Sequence, residues 1–68
     1  SFSLGEHAHV DLCDLLKLAG WVESGAQAKA FIADGEVRVD GAVETRKRCK
    51  IVQGQTVEFA GQRVTVVA

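Results

Sequence analysis

The sequence contains no proline, no methionine and no tyrosine, and its aromatic residues are limited to Phe2, Trp21, Phe31 and Phe59. With no aromatic-rich strand it lacks a platform on which splayed bases would stack, which argues against single-strand readers of nucleic acid. Two cysteines, Cys13 and Cys49, do not make a disulfide framework. No apolar run reaches the length of a membrane span and no secretory or transit segment is recognisable, so a cytoplasmic setting with reduced thiols is the expectation. The chain opens on Ser1 instead of Met, and native residues are expected before it. Also missing is any nucleophile, base and orienting group at a meaningful spacing, any glycine-rich phosphate loop and any cofactor fingerprint. The reading is of a protein that is not an enzyme, holds no cofactor and takes no small-molecule substrate. His7, His9, Cys13 and Cys49 are of metal-ligating type, but His-x-His followed by one Cys is not the spacing of a closed zinc site, so no metal is expected.

What is present is apolar. Of 68 residues, 47% are hydrophobic, enough for one small domain spanning 1–68 to bury a core without a covalent staple. Leu12, Leu15, Leu16 and Leu18 with Ile51, Val52, Val57, Phe59, Val64, Val66 and Val67 are the residues available for it, and Phe31 and Trp21 are read as packing residues beside them.

The order of patterns runs helix, helix, strands. From about Val10 the stripe Leu12, Leu15, Leu16, Ala19 has helical spacing, with Asp11 and Asp14 early, Lys17 late and Gly20 as the stop. Trp21-Val22-Glu23 then leads to Ser24, which with Gln27 forms a capping box in which the amide reaches back to the cap residue. Ala28, Phe31 and Ile32 line one face of a second helix of about ten residues closed at Gly35. Val37 and Val39 alternate with Glu36 and Arg38, and Asp40-Gly41 signals a hairpin. A two-residue loop would set Arg38 opposite Val43; a bulge at Gly41 would pair Val37 with Val43 and keep the apolar face uniform, and this second register is the expected one. Ala60-Gly61 makes another turn, whose two-residue loop sets Glu58 opposite Arg63 and Val57 opposite Val64. Phe2 and Leu4 suggest a short edge strand. The class is α+β, a two-helix hairpin followed by a β-hairpin and packed on a small, mainly antiparallel sheet.

Net charge is only −1, but residues 29–50 carry Lys29, Arg38, Arg46, Lys47, Arg48 and Lys50 against Asp34, Glu36, Asp40 and Glu44. The domain is therefore polarised. Thr45 to Lys50 is read as an exposed crossing segment: extended, it puts Arg46, Arg48 and Lys50 on one face; helical, it groups Arg46, Lys47 and Lys50. Cys49 within it is either a thiol activated by its cationic neighbours or a small buried residue beside Ile51.

Ser24, Ala28, Lys29, Phe31, Ile32, Gly35, Val37, Val39, Asp40 and Gly41 together resemble the alpha-L RNA-binding motif, the family named for a small-subunit ribosomal protein, S-four, and found also in tyrosyl-tRNA synthetases, pseudouridine synthases and a small ribosome-rescue heat-shock protein. Within Val52-Gln53-Gly54-Gln55-Thr56-Val57, the last four residues are similar to that family's Gly-Asp-x-Val, with Gln55 at the usual Asp. The resemblance covers nearly the whole chain. It implies a single module that binds structured RNA of ribosomal or transfer RNA type, as a monomer and without a membrane. Many members carry Arg or Lys just after the capping Ser, whereas here Gly25-Ala26-Gln27 is neutral. The implied contact surface is thus Lys29, Arg38, Arg46, Lys47, Arg48 and Lys50, whose clustered cations would neutralise several phosphates and release their counterions. The same neutral start, with the net negative charge, supports an alternative reading as a protein-interaction adaptor that keeps the fold without the RNA.

Overall fold

The computed structural model describes residues 1–68. Nine elements follow in order: β1 (Phe2–Ser3), β2 (Val10–Asp11), α1 (Leu12–Leu18), α2 (Gly25–Ala33), β3 (Val37–Val39), β4 (Ala42–Val43), β5 (Lys50–Ile51), β6 (Thr56–Phe59) and β7 (Gln62–Val67). Five strands form one sheet in the order β1-β7-β6-β3-β4, antiparallel except for the β1–β7 pair, and β2 pairs with β5 in a separate antiparallel ribbon. The α+β architecture expected from the sequence is the one observed.

Both helices are bounded by local chemistry. The N–H of Gln27 donates to Ser24 Oγ (3.2 Å), while Gln27 Oε1 accepts from the Glu23 N–H (2.7 Å), one residue earlier than the expected reach back to Ser24. At the other end Gly20 and Gly35 share φ 78°. That left-handed step lets Gly20 and Trp21 donate back to the carbonyls of Lys17 and Leu16, and Gly35 and Glu36 to those of Ile32 and Phe31. Both helices thus stop in the same double hydrogen bond, which an L side chain would strain. The first helix starts at Leu12, not Val10, because Val10 and Asp11 are taken up by pairing with Ile51 and Lys50.

The two helices cover one face of the sheet. Leu12, Leu15, Leu16, Ala28 and Ile32 from the helices and Val37, Ile51 and Val57 from the strands are completely buried in one cluster, which holds no polar side chain. Phe59 fixes the far edge, with the Phe31 ring centroid at 4.9 Å and that of Trp21 at 6.3 Å. Phe31, Trp21 and Val64 are only partly buried against this core. Leu18, Val52 and Val67 are exposed and do not belong to it. Leu18, the last residue of α1, lies four residues after the exposed Asp14 and so on the solvent-facing side of the helix.

The Asp40-Gly41 hairpin adopts the two-residue loop, with Arg38 opposite Val43 and Val39 opposite Ala42, so the bulged register does not occur. Asp40 (φ 52°) and Gly41 (φ 84°) are both left-handed, the twist that suits a tight hairpin. Asp40 secures the turn: its carboxylate accepts from the Thr56 N–H (2.9 Å) and its own N–H donates to the Thr56 carbonyl (2.8 Å). Keeping Val43 on the apolar face had no force, since β4 is an edge strand of two residues, both exposed. The Ala60-Gly61 turn has the expected register, Glu58 opposite Arg63 and Val57 opposite Val64.

Truncating Leu16 or Ile32 to Ala should cost about 2–5 kcal/mol, most of the stability available to a chain of this size, whereas Leu18→Ala should fall within about 0.5 kcal/mol of the parent. Urea unfolding of the three variants checks this.

Candidate nucleic-acid interface

The basic segment is neither extended nor helical. It is a turn, in which the Cys49 N–H donates to the Arg46 carbonyl (3.2 Å) and Lys47 and Arg48 form the corner. This turn sits on the start of α1. The N–H groups of Leu12 and Cys13, which have no partner within their own helix, donate to the carbonyls of Cys49 (2.9 Å) and Lys47 (3.1 Å). Asp11, the residue before the helix, does not cap it with its side chain. Its carboxylate accepts instead from Arg48 Nε at 3.1 Å, with His9 Nε2 at 3.9 Å on the other oxygen. Pairing of β2 with β5 immediately follows, so residues 46–51 are fastened to residues 10–13 along their length.

Arg46 is held from the opposite side. Glu44 Oε2 accepts from both the backbone N–H (2.9 Å) and Nε (3.0 Å) of Arg46, and Glu44 Oε1 accepts from Nη2 (3.0 Å). This two-pronged contact pulls the Glu44 carboxyl well below the usual range, to about 2, through its hydrogen bonds with Arg46. Glu44 raises Arg46 in return, and Asp11 raises Arg48, in each case chiefly through the side-chain hydrogen bond. The Cys49 thiol is pushed up by burial first and by the Glu44 charge second, which outweigh the Arg46 guanidinium. It is a half-buried thiol packed against the core, as the reading of a small residue beside Ile51 requires.

Arg46, Lys47, Arg48 and Lys50 are thus gathered at one end of α1, but in two states. All four are exposed, but both arginines are paired with carboxylates, while Lys47 and Lys50 make no ion pair. Lys29 is exposed on α2, also unpaired. Arg38 lies on the outer face of the sheet, the side away from the helices, between the buried Val37 and Val39. There it is in register with Glu58, which is opposite Arg63 on the next strand. Arg63 is a cation of the same exposed row that the sequence reading left out; the Ala60-Gly61 register alone would have placed it there. The partners Glu44 and Asp11 were also missed. Glu44 is two residues from Arg46 and within reach of local inspection, but Asp11 and Arg48 are 37 residues apart and only the fold joins them.

Gln55 takes over the work expected of an Asp in the turn before β6, with Oε1 accepting from the Val52 N–H at 2.8 Å. No group of three or more His, Cys, Asp or Glu side chains is placed to hold a metal ion, and no helix is long and apolar enough to cross a membrane.

The fold recurs among known proteins. The family described as S4 domain matches residues 2–67. YbcJ of Escherichia coli (strain K12) is 76% identical over 68 residues, all of this chain and 97% of that protein. "Probable ribosome maturation protein RlbA" of Bacillus subtilis (strain 168) is 36% identical over 52 residues, 76% of this chain and 73% of that protein. Among solved structures, the solution structure of YbcJ from E. coli, described as revealing an alfaL motif involved in RNA-binding, superposes with a TM-score of 0.76 at 78% identity, covering 98% of this chain and 85% of that one. The 30S ribosomal protein S4e from Thermoplasma acidophilum shares the fold, with a TM-score of 0.64 at 24% identity over 85% of this chain and 31% of that one.

The Glu44–Arg46 contact sets an acid limit. A carboxyl whose folded value is depressed contributes its full stability above the ordinary value near 4.5 and loses it as pH falls toward about 2. The stability difference between the parent and Glu44→Gln should therefore be constant at neutral pH and shrink between those two values. Acid unfolding of both proteins, with NMR titration of the Glu44 carboxyl, measures it.

Proposed function

Because the chain belongs to the S4 domain family, we propose that it is a non-enzymatic RNA-binding module that grips structured RNA, of ribosomal or transfer RNA type, by phosphate and shape contacts. Lys29 on the second helix, Arg38 on the hairpin and the basic turn Arg46, Lys47, Arg48 and Lys50 make up the interface, either by meeting phosphate or by holding the turn that does. The observation that carries this reading is the basic turn itself, anchored to the first helix by backbone hydrogen bonds while its lysines stay exposed and uncompensated. Cations on an anchored turn lose little further freedom on meeting a phosphate, so more of the gain from counterion release is kept as affinity.

Shape, not base identity, is the natural target. Trp21 and Phe31 each pack on Phe59, and Phe2 packs against the core, so the four aromatic rings serve packing and form no stacking platform on a strand. The RNA-binding motif of YbcJ, at 78% identity, supports the reading, and the name of the B. subtilis relative favours ribosomal RNA.

Binding to purified total transfer RNA and to a folded fragment of small-subunit ribosomal RNA, followed by fluorescence anisotropy, tests it. If Lys29, Arg38, Lys47 and Lys50 each meet one phosphate, affinity should fall about a hundredfold as salt rises from about 50 to about 200 mM. The triple variant Lys29→Glu/Lys47→Glu/Lys50→Glu should lose binding while unfolding at the parent's urea midpoint. Parent protein that retains neither RNA, and that recovers a protein partner after nuclease treatment, would replace this reading with the adaptor.

A further inference from the structure

We infer that the basic turn divides its work: Lys47 and Lys50 are the residues that meet phosphate, while Arg46 and Arg48 are positioning residues that hold the turn, and Glu44 and Asp11 withhold those two guanidinium groups from the RNA. This rests on the RNA-binding reading and assigns roles within its site.

The assignment follows from where each charge is already committed. Arg46 places Nε and Nη2 on the two oxygens of Glu44, the pair of donors a phosphate would otherwise receive side by side. Its Nη2 also lies 3.6 Å from Cys49 Sγ, which closes the turn from within. To engage phosphate as a fork, Arg46 would first have to leave a carboxylate that is ionised down to about pH 2. Arg48 spends Nε on Asp11, and that bond joins the turn to the residue preceding α1. Each arginine with its carboxylate is close to neutral toward distant phosphates, and a neutral pair displaces few counterions. Lys47 and Lys50 are different: their backbones are fixed, Lys47 through its carbonyl to the Cys13 N–H and Lys50 through pairing with Asp11, but their ammonium groups have no ionic partner. The turn therefore presents two net charges, both on lysine, although it contains four cations.

Salt dependence separates the roles, because the slope of log affinity against log salt counts the phosphates neutralised, whereas the melting temperature and the amide resonances report on how the turn is held. With the transfer RNA and ribosomal RNA probes above, Lys47→Ala and Lys50→Ala should each flatten the slope by about 0.7–0.9 and leave the amide resonances of Leu12 and Cys13 where they are. Arg48→Ala should shift those two resonances and lower the melting temperature, and Arg48→Ala/Asp11→Asn, which removes the neutral pair whole, should leave the slope unchanged. Glu44→Gln should do what no structural role would: by releasing Arg46 it should steepen the slope by up to about 0.9 and tighten binding at low salt. Flattening by Arg46→Ala/Glu44→Gln and by Arg48→Ala/Asp11→Asn equal to that of the lysine variants, with the Leu12 and Cys13 resonances unmoved, would overturn the division while leaving RNA binding in place. Parent protein that binds neither RNA would instead remove the RNA reading and the lysine roles with it; the Leu12 and Cys13 resonances of Arg48→Ala would still decide whether that arginine holds the turn.

Discussion

Two backbone hydrogen bonds, from Leu12 and Cys13 to the carbonyls of Cys49 and Lys47, are the constraint on which the candidate site depends. A helix needs its first N–H groups satisfied, and most helices do this with the side chain just before them. Here that residue, Asp11, has its carboxylate turned to Arg48, so the vacancy is filled by a segment from the far end of the sequence. Filling it with carbonyl oxygens also places partial negative charge against the positive end of the α1 dipole. The local need of a short helix and the placement of a basic turn are thus met by one contact.

The second helix shows the alternative solution. Ser24 and Gln27 serve its start entirely from within five consecutive residues, 23–27, and require nothing from the rest of the molecule. The first turn of α2 carries no cation, whereas the basic turn sits at the start of α1. Between the two helices the short link carries Trp21 and Val22 into contact with the core, so the helical hairpin is fixed from its own bend as well as from both helix faces.

Legibility in the sequence followed the range of the contact responsible. The capping box, the two glycine stops and the Ala60-Gly61 register depend on residues within a few positions, and each was readable from propensity and spacing. The Asp40-Gly41 register was read wrongly because the pattern of Val37, Val39 and Val43 was weighed above the backbone preference of the turn. On a two-residue edge strand nothing covers Val43, and the turn decides. Leu18 had the right chemistry for the core but the wrong place, on the solvent-facing side of its helix. In the candidate site the cations were visible as a cluster, but their state was not. Glu44 was close at hand and overlooked, while the pairing of Asp11 with Arg48 exists only once β2 and β5 have met.

The β1–β7 pair brings the ends of the polypeptide together. Ser3 is in register with Val67, and its hydroxyl donates to the carbonyl of Ala68 at 2.8 Å. The first strand thereby covers the open flank of the last, whose unpaired backbone groups would otherwise offer a template to the strand of another molecule.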